Sequence, residues 1–84
     1  MTFVTFDWEA FKAYAENCHV GTFQVKQVME GTEIRVRAGR LGYVGVFNLD
    51  DPYQRQAYER IRRFCTLQQY VPVEKSVDDD LFHA

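Results

Sequence analysis

The chain lacks long apolar runs and low-complexity segments. Its longest apolar runs cover only a few residues, whereas a helix that crosses a bilayer needs roughly 20. No basic stretch followed by an apolar segment opens the sequence, so we expect no secretory signal and a cytoplasmic location. No internal repeat or linker divides the chain. Residues 1–75 are therefore expected to form one domain, and residues 76–84 an acidic C-terminal tail.

Residues that carry catalysis or bind metals are also scarce. The two cysteines, Cys18 and Cys65, match no metal-ligand spacing, and we expect free thiols on the buried faces of two helices. His19 follows Cys18 directly, but neighbours on a helix point about 100° apart, so this histidine is badly placed to activate the thiol. With His83 in the tail, no zinc set is recognisable. The sequence predicts no enzyme activity, no metal and no cofactor.

Apolar and aromatic residues are abundant instead. They make up 46% and 15% of the sequence, respectively, which is far more than an unstructured chain carries. A chain of 84 residues buries a single core, and such a core contributes roughly 3–5 kcal/mol beyond the cost in conformational entropy. We therefore expect one folded domain of modest stability.

Charge is distributed unevenly along the chain. The net charge of the whole sequence is −2, but it is −3 from Met1 to Ile34, +4 from Arg35 to Arg63 and −3 from Phe64 to Ala84. A basic middle between acidic ends steers encounters and selects partners without specifying a fold.

The first part of the chain predicts a short strand and a helix. Residues 1–6 alternate apolar side chains with threonine, which is typical of an edge strand. Asp7 is an N-cap residue for a helix from about Trp8 to Asn17, and Phe6 and Phe11 are spaced as a hydrophobic staple.

Three strands are predicted next, as an antiparallel meander. The first covers residues 22–29, where the alternation breaks at Gln27 and Val28 and permits a bulge. The second, residues 33–38, alternates strictly. It places Ile34, Val36 and Ala38 on the core face and Glu33, Arg35 and Arg37 on the other face. The third covers residues 43–49 after a turn at residues 39–42.

A second helix is predicted to run to about Gln69. Asp50 or Asp51 is its cap, and Pro52 is at or near its first position, where the missing N–H costs nothing. Its sheet-facing residues are expected to be Tyr53, Ala57, Tyr58, Ile61, Phe64 and Cys65. The fold class is therefore α+β, with the order helix, three-stranded antiparallel meander, helix (αβββα). One extra short strand is allowed at the N-terminal or the C-terminal end.

Two sets of charged residues are candidates for binding a partner. Arg35 and Arg37 project from one face of a strand and Arg40 from the following turn, so they would suit carboxylates or phosphates. Asp78, Asp79 and Asp80 would suit a basic surface. Three interpretations of the arginines stay open: a solvated sheet face, a protein interface, and a nucleic-acid site.

Two resemblances connect the chain with nucleic-acid binding. The order helix, three strands, helix resembles the double-stranded-RNA-binding domain, whose phosphate contacts come from a lysine-rich start of the second helix. The matching segment here is residues 50–53, Asp-Asp-Pro-Tyr. Residues 38–45 followed by a helix resemble the strand-turn motif of the Trp-Gly-Arg (WGR) domain of DNA-repair proteins, with Ala38 in place of the tryptophan.

A third resemblance is to the small anti-CRISPR inhibitors encoded by phages. Those proteins are compact α+β chains of similar size without a catalytic constellation, and some share the element order predicted here from Asp7 to Gln69. They dock on an effector complex and block nucleic-acid binding or recruitment. The resemblance implies a non-enzymatic inhibitor, monomeric or homodimeric, whose partner is a larger protein or ribonucleoprotein complex. The alternative is a nucleic-acid-binding domain that uses the arginines.

Overall fold

A computed structural model describes residues 3–73, which form a five-stranded sheet and two helices. The elements in chain order are β1 (Phe3–Thr5), α1 (Trp8–Ala15), β2 (Gly21–Val28), β3 (Gly31–Ala38), β4 (Leu41–Phe47), α2 (Pro52–Leu67) and β5 (Val71–Pro72). The strand order across the sheet is β1-β4-β3-β2-β5. No helix within these residues is long and apolar enough to cross a membrane.

The three central strands form the antiparallel meander that the sequence predicts. β2 pairs with β3 without interruption from Gly21 opposite Ala38 to Val28 opposite Gly31. The bulge that the sequence permits at Gln27 and Val28 is therefore absent from β2. Gln27 falls on the core side of β2, opposite Thr32, but its side chain is exposed near the end of the strand. Its Oε1 accepts a hydrogen bond from the Thr32 hydroxyl at 3.4 Å.

The two outer strands change the predicted layout. β1 pairs in parallel with β4, and β5 pairs in parallel with β2. The α+β class is confirmed, but the sheet is mixed and five-stranded, so the layout differs from the αβββα prediction. The alternation of residues 1–6 predicts a strand where β1 lies, but the parallel pairing of β1 and β5 depends on where the helices return the chain.

Both helices cover the same face of the sheet. Phe11 and Ala15 of α1 and Ile61 and Cys65 of α2 are buried in one cluster with sheet residues of a single face. Those sheet residues are Phe23, Ile34, Val36, Ala38 and Tyr43. Tyr53 is predicted to face the sheet, but its side chain is 83% exposed, and the buried residues of α2 begin only at Tyr58.

Both predicted helix N-caps are confirmed. Asp7 Oδ1 accepts from the Glu9 N–H at 3.2 Å, and Asp51 Oδ1 accepts from the Tyr53 N–H at 3.0 Å. The rings of Phe6 and Phe11 meet edge to face with centroids 5.1 Å apart, as a hydrophobic staple requires. Local sequence signals therefore determine where both helices begin.

The C-terminal end of α1 is held by residues that follow α2. The Tyr70 hydroxyl donates to the Cys18 carbonyl at 2.7 Å, and the Gln68 side-chain amide donates to the Ala15 carbonyl at 3.2 Å. The Ala15 carbonyl ends α1 and also accepts from the Cys18 N–H at 3.0 Å, so the two side chains tie the helix end and the residues just after it to the segment that follows α2. Tyr70 is only 3% exposed, and its ring packs on Gly21, where an added Cβ would lie 2.9 Å from the ring.

We expect Tyr70→Phe to lower the free energy of unfolding by about 1–2 kcal/mol, because the Cys18 carbonyl loses its donor in a partly buried place. Urea denaturation followed by circular dichroism measures this. Tyr53→Phe is the matched control, since the Tyr53 side chain is exposed, and it should change stability by less than about 0.5 kcal/mol. Equal effects of the two substitutions would contradict a stabilising role for the hydrogen bond between Tyr70 and Cys18.

Stability should fall at alkaline pH. Burial raises the pKa of Cys65 from 9.0 to about 12, and burial followed by neighbouring Cys18, Cys65 and Tyr14 raises the pKa of Tyr70 from 10.0 to about 12. A pKa that is higher in the folded state means that unfolding releases protons above the unfolded-state value. These two groups should therefore leave the urea midpoint unchanged up to about pH 9 and lower it progressively towards pH 12. Tyr70→Phe should make the decline above pH 10 shallower.

Candidate protein-binding face

The face of the sheet opposite the helices is the candidate site, and we call it the open face. Side chains alternate along a strand, so the neighbours of the buried β3 residues point to this side. Residues in register across the strands share it: Gln24 and Val44 both pair with Arg35, and Phe3 and Arg37 both pair with Gly42. Its side chains from the outer and central strands are Phe3, Thr5, Thr22, Gln24, Lys26, Glu33, Arg35, Arg37, Val44, Val46 and Val71.

Gly42 allows the Phe3 ring to lie across β4. A Cβ at Gly42 would be 2.6 Å from Cδ1 of Phe3, which is closer than any real contact. The ring therefore covers the bare backbone of β4 and reaches the next strand. There, the guanidinium carbon of Arg35 lies 5.4 Å from the ring centroid, within the range of a cation–π interaction.

Arg35 is held from a second side by Glu33. Its Nε donates to Glu33 Oε1 at 2.8 Å, and the Nζ of Lys26 lies 3.9 Å from the same oxygen. The Glu33 side chain is only 13% exposed, whereas that of Arg35 is 42% exposed. The guanidinium is thus oriented by a carboxylate and a ring, and its terminal nitrogens remain as donors.

A shallow depression of about 210 Å³ lies beside this arginine. Phe3 and Val73 contribute apolar walls, Thr22 and Gln24 contribute polar groups, and Arg35 and Arg37 contribute charge. A second depression, of about 350 Å³, adjoins it and shares Thr22 and Arg37. Pockets for small molecules usually measure about 300–1,000 Å³ and enclose most of the ligand, so the first depression suits a single side chain better than a whole ligand.

The structure brings together two of the three arginines predicted as site residues. Arg37 is exposed on the open face and forms no ion pair within residues 3–73. Arg40 is in the β3–β4 turn, where its N–H donates to the Tyr14 hydroxyl at 3.3 Å, and it does not line the depression. The predicted acidic site, Asp78 to Asp80, and the predicted tail lie outside the described residues.

The basic residues of α2 are mostly engaged within the chain. Arg60 lies over the Trp8 ring and Arg62 over the Tyr58 ring, at 5.5 and 5.8 Å from the centroids. The Nε of Arg55 donates to the Leu49 carbonyl at 3.2 Å. These contacts use α2 arginines to pack the domain, which leaves the open face as the better candidate for an external anion.

Sequence reasoning missed Phe3 and Val73. Phe3 begins the three-residue strand β1 and Val73 directly follows the two-residue strand β5, so their proximity to Arg35 depends on the parallel pairing of these strands. The one available signal was Gly42, because a glycine near the start of a strand often marks a close approach of another group.

The described residues offer no obvious catalytic centre. No group of three or more His, Cys, Asp or Glu side chains within residues 3–73 is arranged to hold a metal ion. Both cysteines are free, and burial raises the pKa of the Cys65 thiol to about 12, so this thiol stays protonated at neutral pH. What the open face can do chemically is bind an anion next to apolar surface.

Comparison of the chain with protein-family models, with curated proteins and with solved structures finds no match. The three resemblances drawn from the sequence therefore stay predictions. Inference about function depends on the open face itself.

The contact between Phe3 and Arg35 can be measured by a double-mutant cycle. We expect Phe3→Leu and Arg35→Gln to show a coupling energy of about 0.5–1 kcal/mol in urea denaturation, because each removes one partner of the cation–π pair. The matched cycle of Phe3→Leu with Arg37→Gln should give less than about 0.3 kcal/mol. Equal coupling in both cycles would show that Phe3 does not orient Arg35.

Proposed function

We propose that this chain is a non-enzymatic protein-binding module whose open face docks on an acidic surface of a larger protein or ribonucleoprotein complex. The observation that carries the proposal is Arg35, fixed between Glu33 and Phe3 on a sheet face that neither described helix covers. In the form that the sequence resemblance suggests, the module is a cytoplasmic inhibitor of phage type that blocks nucleic-acid binding or recruitment by an effector complex.

The composition of the open face suits a protein partner. Arginine beside exposed apolar side chains is typical of protein interfaces, in which Arg is enriched and Lys depleted. Val46 and Val71 are 42% and 60% exposed, and Val71 belongs to the second depression. A partner that covers this face would therefore bury apolar area as well as pair the arginines.

The charges of the open face favour an acidic partner. Lys26, Arg35 and Arg37 outnumber the single carboxylate, that of Glu33, and Arg40 adds a further positive charge in the adjacent turn. Complementary charge speeds the encounter and selects against basic surfaces. The other occupant to be considered, a nucleic acid, would use the same positive charge.

Two features favour protein over nucleic acid. Binding along a phosphate backbone relies on several successive cations, but Glu33 interrupts the basic residues and is in contact with two of them. Single-stranded binding relies on free aromatic rings for stacking. Phe3 is the one aromatic side chain that residues 3–73 place on the open face, and its ring lies between the backbone of Gly42 and the guanidinium of Arg35.

Affinity capture with matched charge reversals tests the proposal. The full chain, Arg37→Glu and Arg63→Glu are used as baits in a lysate of the source cells, and captured proteins are quantified by mass spectrometry. Arg37 and Arg63 are both exposed and both lack an ion pair within the described residues. We expect Arg37→Glu to reduce capture of the main partner at least about tenfold, and Arg63→Glu to leave it within about twofold.

The reverse pattern, loss of the partner with Arg63→Glu alone, would place the docking surface on α2 and refute the proposal. A mobility-shift assay with duplex and single-stranded DNA and RNA, at about 50 mM salt, tests the alternative. A shift that weakens steeply with salt and disappears with Arg37→Glu would favour a nucleic-acid-binding domain instead.

A further inference from the structure

We infer that Arg35 is the anchor of this interface and that it receives the carboxylate of an aspartate or glutamate side chain of the partner. The inference rests on the proposed function and makes it specific: it names one residue and one chemical group. Three observations support it: the N–H groups of Arg35 that remain available as donors, the contacts that hold its side chain in place, and the residues of the adjacent depression.

The donors of Arg35 can be counted. A guanidinium has five N–H groups in one plane, and the Nε–H is already donated to Glu33 Oε1 at 2.8 Å. The four terminal N–H groups remain, and their fork matches the two oxygens of a carboxylate. A ligand carboxylate would therefore approach the end of the side chain, in the guanidinium plane.

Arg35 is also fixed before any ligand arrives. The Glu33 side chain, which orients Arg35, is only 13% exposed and also pairs with the Lys26 ammonium on the neighbouring strand. The Phe3 ring covers one side of the guanidinium. Ordering a long, flexible side chain at an interface costs conformational entropy, which weakens binding. The Arg35 side chain is already held in place in the folded chain, so binding a ligand orders it little further. Arg37 has neither an ion pair nor an aromatic neighbour of this kind within residues 3–73.

The surroundings of Arg35 fit an acidic side chain that is followed or preceded by an apolar one. Thr22 and Gln24 offer hydrogen bonds in the depression, and Phe3 and Val73 offer apolar contact. A volume of about 210 Å³ is below the usual range for small-molecule pockets, about 300–1,000 Å³, which favours one inserted side chain.

Glu33 also reduces the electrostatic advantage that a phosphate monoester would otherwise have over a carboxylate at Arg35. A group bound at the terminal nitrogens of Arg35 shares the guanidinium with the Glu33 carboxylate. Attraction to Arg35 and repulsion from Glu33 both scale with the charge of the ligand, so Glu33 offsets part of the extra attraction that a phosphate monoester gains from its charge of about −1.5 to −2.

An NMR titration of the full chain tests the inference. An acetylated and amidated hexaglutamate peptide is added to ¹⁵N-labelled protein, with hexaglutamine and inorganic phosphate as control ligands. We expect saturable shifts of β2 and β3 amides with hexaglutamate, and weaker effects with both controls. Arg35→Lys keeps the charge but loses the planar fork and the stack on Phe3, so it should raise Kd on the order of fivefold or more. Arg37→Lys should change Kd by less than about twofold.

The outcomes separate the anchor from the docking face. Equal effects of Arg35→Lys and Arg37→Lys would contradict the claim that Arg35 is the anchor. The absence of a saturable hexaglutamate shift, or a stronger effect of phosphate, would contradict the claim that Arg35 receives a carboxylate. In each case the proposed function still stands if Arg37→Glu loses the captured partner. The melting temperature and the spectrum of each free variant show that the fold is intact, so a loss of binding is a loss of contacts.

Discussion

The structure depends on the register of β3. Its residues Ile34, Val36 and Ala38 are completely buried, while the alternate residues carry the charges of the open face. β3 is bonded to β2 on one side and β4 on the other. A slip of one residue would turn Arg35 and its neighbours into the core, where an unpaired charge is very costly. This constraint fixes which face the helices cover.

The open face depends on the register of β3 and on contacts made by the residues before α1 and after α2. Because α1 is tied by Tyr70 and Gln68 to the segment after α2, both helices stay on the buried side and the chain continues directly into β5. β5 brings Val73 to the depression, and β1 brings Phe3 across Gly42. Arg35 therefore lies beside the Phe3 ring, from one end of the described chain, and lines the same depression as Val73, from the other end. Recognition would then use a side chain that folding has already positioned.

Some of this arrangement could be predicted from the sequence because it rests on neighbouring residues. The alternation of residues 33–38 and the caps Asp7 and Asp51 are of this kind, and so is the assignment of Arg35 and Arg37 to the exposed side of β3. The parallel pairing of β1 and β5 and the contacts of Phe3 and Tyr70 could not be predicted, because they join residues far apart in sequence and depend on the path of both helices. The separation of Arg40 from the other two arginines has the same origin, since the turn bends towards Tyr14.

The central claim is that the face opposite the helices is exposed in the free protein and covered by the partner. Relaxation of methyl protons by a soluble paramagnetic agent measures this directly, in the free chain and in the complex with its captured partner. We expect strong relaxation of the Val46 and Val71 methyl groups in the free chain, clear protection of both in the complex, and no protection of Leu67 on α2, which is 76% exposed. Protection of Leu67 with unchanged relaxation of Val46 and Val71 would contradict this account.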